Sequence, residues 1–229
     1  MRPIDALLTT LPDGSVWDIR VGAFWTAVVV ELEGHRRCGL ASTIRDDDDH
    51  HNGGGPALRD AGSLMGRSAR ELAELARSYR PMEAAIGVAT INALLPAQSE
   101  QWLDLNAGEV IAQHGVDKRV ALVGHFPFIP RLRDCVGALW VLEKRPSGED
   151  LPAEAACDVI PRADVVAITG TSLINHTFEG LMALCRPKAL VLVLGPSTPL
   201  SPVLFDHGID ILSGSVVEDV DSVLRAVSQ

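Results

Sequence analysis

Residues 120–130 read VALVGHFPFIP, an apolar run that stops at Gly124 and turns through His125, Phe126 and Pro127. Aliphatic residues closed by a glycine mark a buried strand entering the first turn of a dinucleotide-binding fold. The turn itself departs from that pattern. A G-x-G-x-x-G fingerprint places its second glycine where the backbone meets a pyrophosphate and its third where the helix packs on the strand. Here those places hold Phe126 and Ile129, and Pro127 removes an N–H from the cradle. A strand is expected, without a pyrophosphate gripped in the usual way.

Towards the carboxyl terminus the same kind of segment recurs. Arg119–Gly124, Ala138–Glu143, Asp164–Gly170, Ala189–Gly195 and Ile209–Ser213 read as strands, helical patterns lie between most of them, and Asp219–Val227 reads as a last helix. Near-continuous apolar runs such as VVAITG and ALVLVLG suit a parallel sheet covered on both faces. The second half is expected to be Rossmann-like.

Towards the amino terminus the rhythm differs. A short helix over Ile4–Leu11 ends at Pro12-Asp13-Gly14, and Ser15–Ile19, Phe24–Leu32 and Arg37–Thr43 read as a small antiparallel meander. The DDDDHHNGGG segment that begins at Asp46 reads as a loop. Ser68 and Glu71 have capping-box spacing, with Leu72, Leu75, Ala76 and Tyr79 on one face of the helix they open. A second helix runs from Met82 to Leu95 and stops at Pro96. Gly87 inside it implies that another backbone or a ligand comes close. Asn92, on the same helix, is either satisfied inside the fold or turned towards a site. The junction is expected within Asn106–Asp117, giving an α+β unit over 1–110 and a mostly parallel Rossmann-like unit over 111–229.

Composition bounds the partners. The 229 residues are 47% hydrophobic and 22% charged, as in a soluble globular protein. Twenty basic against thirty acidic residues leave a net charge of −10, shared between the halves, which opposes nucleic acid and anionic membrane surfaces. No apolar run approaches the roughly 20 residues of a membrane span, and a cytoplasmic protein is expected. Cys38, Cys135, Cys157 and Cys185 are too dispersed for a zinc ribbon or a disulfide framework and read as free thiols.

In open α/β sheets ligands bind beyond the carboxyl ends of the strands. Those ends carry Gly124-His125-Phe126-Pro127, Glu143, Thr169-Gly170-Thr171-Ser172 and Gly195-Pro196-Ser197-Thr198-Pro199. Turns favour Gly, Pro, Ser and Thr regardless of function, so each stretch also has a purely structural reading. His125, on a short stiff turn, is either a metal ligand or proton-transfer group or a packed structural histidine. Glu143 falls about 20 residues past the glycine, where dinucleotide folds carry the acidic residue that accepts ribose hydroxyls. His125 and Glu143 together fall short of the three or four protein ligands of a tight zinc site. The rest would come from hydroxyls, water, substrate or the other unit. Ser197 and Thr198, between two prolines, form a rigid loop with two hydroxyls. Thr171 or Asn175 suits a helix cap, His176 is expected in solvent, and His207 reads as a helix-end residue. Asp46–Asp49 with His50 and His51 is read as a solvated acidic loop, at most an adventitious cation site.

Taken together, the motifs WTAVVV, GLAST, AAIGVATINALL, VGHFPF, VLEKRPSGEDLP, ADVVAITGTSLINHT, GPSTPLSPVLFDHG and LSGSVV resemble a heavy-metal-chelation family of uncharacterised prokaryotic proteins along nearly the whole chain. The resemblance implies an enolase amino-terminal-like domain joined to a Rossmann-like domain, with a site in the cleft between them. Matched residue by residue, it points to Asn92 from the first domain. From the second it points to His125, Phe126, Glu143, Thr169, Gly195, Pro196, Ser197 and Thr198.

The leading expectation is a protein that binds a metal ion or metal chelate in the interdomain cleft. His125 and Glu143 would be its metal-side anchors, Asn92 would close from the other domain, and Ser197-Thr198 would orient the organic part. The sequence names no cofactor beyond a divalent or heavy metal ion. The alternative is an enzyme of chelator or cofactor metabolism, with His125 as catalytic acid or base and a nucleoside-type cofactor on Glu143. A third reading is a non-catalytic protein-interaction module. The partners expected are a small-molecule or metal-chelate ligand and further copies of the chain as a homo-oligomer, not nucleic acid or membrane.

Overall fold

A computed structural model describes residues 1–44, 58–96, 100 and 102–229, so the Asp46–His51 loop lies outside the described residues. Helix α1 (Pro3–Thr10) begins on a proline, whose fixed φ suits a first turn, and buries Ile4, Leu7 and Leu8. Strands β1 (Ser15–Val21), β2 (Trp25–Leu32) and β3 (His35–Ser42) form the expected antiparallel meander, in the order β1-β2-β3. Thr26–Val30 of β2 is buried on both faces, because each face has its own cover. Val28 and Val30 join the main core, whereas Ala27 and Val29 pack with Leu224 and Val227. Those last two belong to α9 (Val220–Val227), capped by the Asp219 carboxylate, which brings the end of the chain back onto the first sheet.

The capping box at Ser68 and Glu71 opens α2 (Ala69–Ala73). The helix then tightens into a 3₁₀ turn over Glu74–Arg77 and stops at Ser78. Tyr79 therefore misses the apolar face on which its spacing places it and is 83% exposed. Helix α3 (Pro81–Leu94) is buried almost all round. At Gly87 a Cβ would lie 1.9 Å from the backbone nitrogen of Ala76. The close neighbour implied by that glycine is thus the backbone of the preceding 3₁₀ turn.

The second unit opens with α4 (Ala107–Gly115), capped by the Asn106 side chain, so the boundary drawn at 110 falls inside a helix. Then follow β4 (Arg119–Val123), α5 (Ile129–Cys135), β5 (Ala138–Glu143), β6 (Leu151–Pro152), α6 (Ala156–Val159), β7 (Val165–Thr169), α7 (Thr171–Ile174), α8 (Phe178–Leu184), β8 (Leu190–Leu194) and β9 (Ile211–Ser213). Every pairing is parallel and the order is β6-β5-β4-β7-β8-β9. Counted within the sheet, that is 3-2-1-4-5-6, the doubly wound Rossmann order. The chain therefore forms a small α+β unit followed by a Rossmann-like sheet. One face of the sheet, with Leu122, Val141, Ala167 and Leu192, packs with Ile111 and Leu132. The other, with Ala121, Leu142, Val166 and Ile168, shares one apolar cluster with α1, α2 and α3. A common core fixes the two units against each other.

His176, expected in solvent, serves that junction instead. Asn175 accepts from the N–H and hydroxyl of Thr177, and the chain turns left-handed at His176, with φ of 56°. Its ring then meets Tyr79 at 4.9 Å and brings Nε2 to 2.7 Å from the carbonyl of Ser78. The four cysteines are free thiols, and burial pushes Cys38 up to about 11. No described helix is long and apolar enough to cross a membrane.

Candidate functional site

The order of the sheet reverses between β4 and β7, and the crevice above such a switch point is where doubly wound sheets hold ligands. A cavity of about 430 Å³ lies there, floored by Gly124–Pro127, Glu143, Thr169–Thr171 and Gly195–Ser197 and closed from the small sheet by Trp25 and Ser42. Both units thus contribute walls.

Gly124 explains how the first turn departs from a phosphate cradle. Its φ is +106°, and a Cβ there would stand 3.1 Å from both the Phe126 ring and Cβ of Thr169. The Phe126 ring occupies the ground above the ends of β4 and β7, where a pyrophosphate would approach. It stacks on Phe128 with centroids 5.2 Å apart and planes 11° from parallel. Pro127 has no N–H to offer.

Glu143, at the end of β5, is held by backbone donors. Its Oε1 accepts from the N–H of His125 at 2.9 Å and its Oε2 from the N–H of Lys144 at 2.8 Å. The carboxylate thereby pins the β4 turn to the end of β5. The His125 imidazole finds a different partner: Nδ1 lies 3.0 Å from Oδ2 of Asp150, just before β6. An ionised carboxylate only accepts, so a neutral imidazole in this pairing carries its proton on Nδ1 and its lone pair on Nε2. The N–H of Ser147 donates to the same Asp150 oxygen at 3.4 Å.

On the far wall, Oγ of Ser197 accepts from the N–H of Ser42 at 2.9 Å and donates to the Ser42 hydroxyl at 3.3 Å. Asn92 lies behind this loop. Its amide donates to the carbonyl of Leu40 at 2.8 Å and to that of Pro196 at 3.4 Å, tying β3 to the loop after β8. Thr198, 2% exposed, folds back with its N–H on the carbonyl of Gly195 and its hydroxyl against Gly170. Oδ1 of Asn92 and Oγ1 of Thr198 are buried and have no hydrogen-bond partner among the described residues. Of the residues expected from the sequence, His125, Phe126, Glu143, Thr169, Gly195, Pro196 and Ser197 share the cavity, while Asn92 and Thr198 stand behind its wall. Trp25 and Ser42 on the wall and Asp150 behind His125 join the site through the fold alone. Asp150 lies in the polar stretch KRPSGED, where nothing in the spacing tells one carboxylate from another.

Among the described residues no group of three or more His, Cys, Asp or Glu side chains could hold a metal ion. Nε2 of His125 and the lone pairs that Glu143 keeps beyond its two backbone bonds amount to two donor side chains at the cavity. A bare zinc-like ion needs three or four protein donors. The described residues do not fit a bare ion.

The chain resembles a protein of unknown function from Desulfitobacterium hafniense, with 27% identity, a TM-score of 0.84, and 98% of this chain and 90% of that one covered. A structure from Pyrococcus horikoshii aligns over 99% of this chain and 92% of its own, at 21% identity and a TM-score of 0.78, a likeness of fold. An uncharacterised protein of Methanocaldococcus jannaschii is 25% identical over 234 residues, spanning 97% of this chain and 86% of the relative. Family models match residues 4–95 and 106–229, and both carry the description "Putative heavy-metal chelation". Between them they account for both units that wall the cavity, and the chain belongs to that family.

Proposed function

We propose that the cavity binds a heavy metal already carried by a small organic chelator, and that Nε2 of His125 is the donor the protein adds. One observation carries this reading: a buried carboxylate, Asp150, orients the imidazole through Nδ1 and leaves Nε2 free beside the cavity. A carboxylate behind a metal-binding histidine fixes its tautomer and raises its basicity. One nitrogen does not hold a bare ion, but it completes the coordination of an ion whose other positions are filled. Trp25 and Phe126 supply apolar wall that strengthens each polar contact by keeping water out. The family description agrees with metal as cargo.

The test is calorimetry with copper(II), nickel(II) and zinc(II), each alone and as its equimolar citrate complex. The complexes should bind the wild type more tightly than the free ions do, and His125→Ala should abolish the difference. Equal binding by wild type and variant removes the reading.

The same dyad favours a second reading. An imidazole with Nδ1 held by a carboxylate and Nε2 open is arranged for proton transfer, which would make His125 the acid or base of an enzyme acting on the chelator. Conversion of an added chelator, followed by mass spectrometry and lost in His125→Ala, would select it.

A further inference from the structure

We infer that Glu143 recognises a vicinal diol on a flat, phosphate-free ligand. The inference rests on the cavity being a small-molecule site and is independent of the metal. An ionised carboxylate has about four lone-pair sites. The backbone uses one on each Glu143 oxygen, through the N–H groups of His125 and Lys144. Those bonds fix the plane of the carboxylate and leave acceptor capacity on both oxygens at the cavity wall. Two adjacent hydroxyls, each donating to one oxygen, match it.

The position of Glu143 supports the same chemistry. It ends the second strand of a 3-2-1-4-5-6 sheet, where an acidic side chain accepts ribose hydroxyls in dinucleotide folds. The rest of that machinery is closed. The Phe126 ring lies against Gly124 and Gly195, Pro127 and Pro130 lack donors, and the N–H of Ile129 is spent on the Phe126 carbonyl. A phosphate therefore meets an aromatic ring where a nucleotide fold would offer N–H groups. That ring and Trp25 instead suit the flat face of an uncharged group. A ribonucleoside and a catechol share this chemistry, and a catechol is itself a metal chelator.

Calorimetry on the full chain separates the sources. The ligands are adenosine, 2′-deoxyadenosine and adenosine monophosphate in one arm, and catechol and resorcinol in the other. The proposal expects adenosine or catechol to bind, and the partner lacking the vicinal pair to bind at least about tenfold more weakly, because a site built to accept a hydroxyl rejects the analogue without it. Whichever diol binds identifies the source, and the monophosphate should gain nothing over adenosine. Glu143→Gln should lose the preference for the diol, with circular dichroism confirming its fold. The deoxy comparison needs no variant, so it stands even if Glu143→Gln misfolds. Failure of both diols to bind, equal binding with and without the vicinal pair, or tighter binding of the monophosphate overturns the inference. A diol that binds while the citrate complexes do not removes the chelate reading alone. The converse removes this one alone.

Discussion

Oδ2 of Asp150 stands 3.0 Å from Nδ1 of His125, with the Asp150 side chain 3% exposed and that of His125 53% exposed. The carboxylate is enclosed while the ring it holds reaches the cavity, so orientation is set from behind. Asp150→Asn keeps the shape of the side chain and an oxygen for Nδ1–H and the Ser147 N–H, but removes the charge that raises the basicity of Nε2. Affinity for the copper–citrate complex should fall about 10- to 100-fold, as expected for a partner behind a metal-binding histidine. Calorimetry at neutral pH measures it. An Asp150→Asn protein that binds like the wild type would show that the charge behind the imidazole does not matter.

Asn92 has its amide committed to the carbonyls of Leu40 and Pro196. Asn92→Ala leaves both without that donor, which costs about 1–3 kcal/mol where such groups are buried. Urea unfolding should show a lower midpoint. Asn92→Asp should do at least as much harm, since it replaces the donor by a charge facing two carbonyl oxygens. Loss of ligand affinity at unchanged stability would instead place Asn92 against the ligand.

The sheet was legible because its strands are buried on both faces: VALV, VVAIT and LVLVL leave no polar alternation to confuse with a helix. Strand β6 was not, since Leu151-Pro152 is too short to have a period. Glu143 could be placed from its distance to Gly124, a local quantity. Its actual partners are backbone N–H groups, which no side-chain spacing encodes. Asp150 reaches His125 only because β6 pairs beside β5 and brings the connecting loop back to the turn after β4. Tyr79 and His176 failed for the same reason in opposite directions. A helix ended one turn early, and a left-handed residue swung an apparently solvated ring into a contact between the units.

Gly87 tests the packing between α3 and the turn before it. A Cβ there would lie 1.9 Å from the nitrogen and 2.6 Å from the Cα of Ala76, both backbone atoms that cannot rotate away. In a solvated helix Gly→Ala stabilises by about 1 kcal/mol. Here the sign should reverse, and Gly87→Ala should cost about 3 kcal/mol or more by overpacking. The midpoint of thermal or urea unfolding decides between the two signs. A stabilised variant would mean that the 3₁₀ turn yields freely.

Glu83 governs the acid limb of stability. Its side chain is 1% exposed and accepts from the Arg59 backbone at 3.0 Å, from the Arg59 guanidinium at 2.9 and 2.8 Å, and from the Ser78 hydroxyl at 2.7 Å. The Arg59 hydrogen bonds outweigh the opposing effect of burial and hold the carboxyl at about 2, against an ordinary 4.5. A folded value below the unfolded one means that stability is fully present above about pH 4.5 and is lost as the pH falls towards 2. The shift corresponds to about 3 kcal/mol, reduced in practice because Arg59 is largely in solvent. Asp5, Asp13, Asp164 and Asp219 are also lowered, each by hydrogen bonds, and act in the same direction. The Glu83 share is therefore read as a difference between proteins. Glu83→Gln should be less stable than wild type by about 2–3 kcal/mol at neutral pH, and the gap should close as the pH approaches 2. Urea unfolding across that range measures it, and a gap that stays constant with pH would mean that the charge on Glu83 contributes nothing beyond its shape.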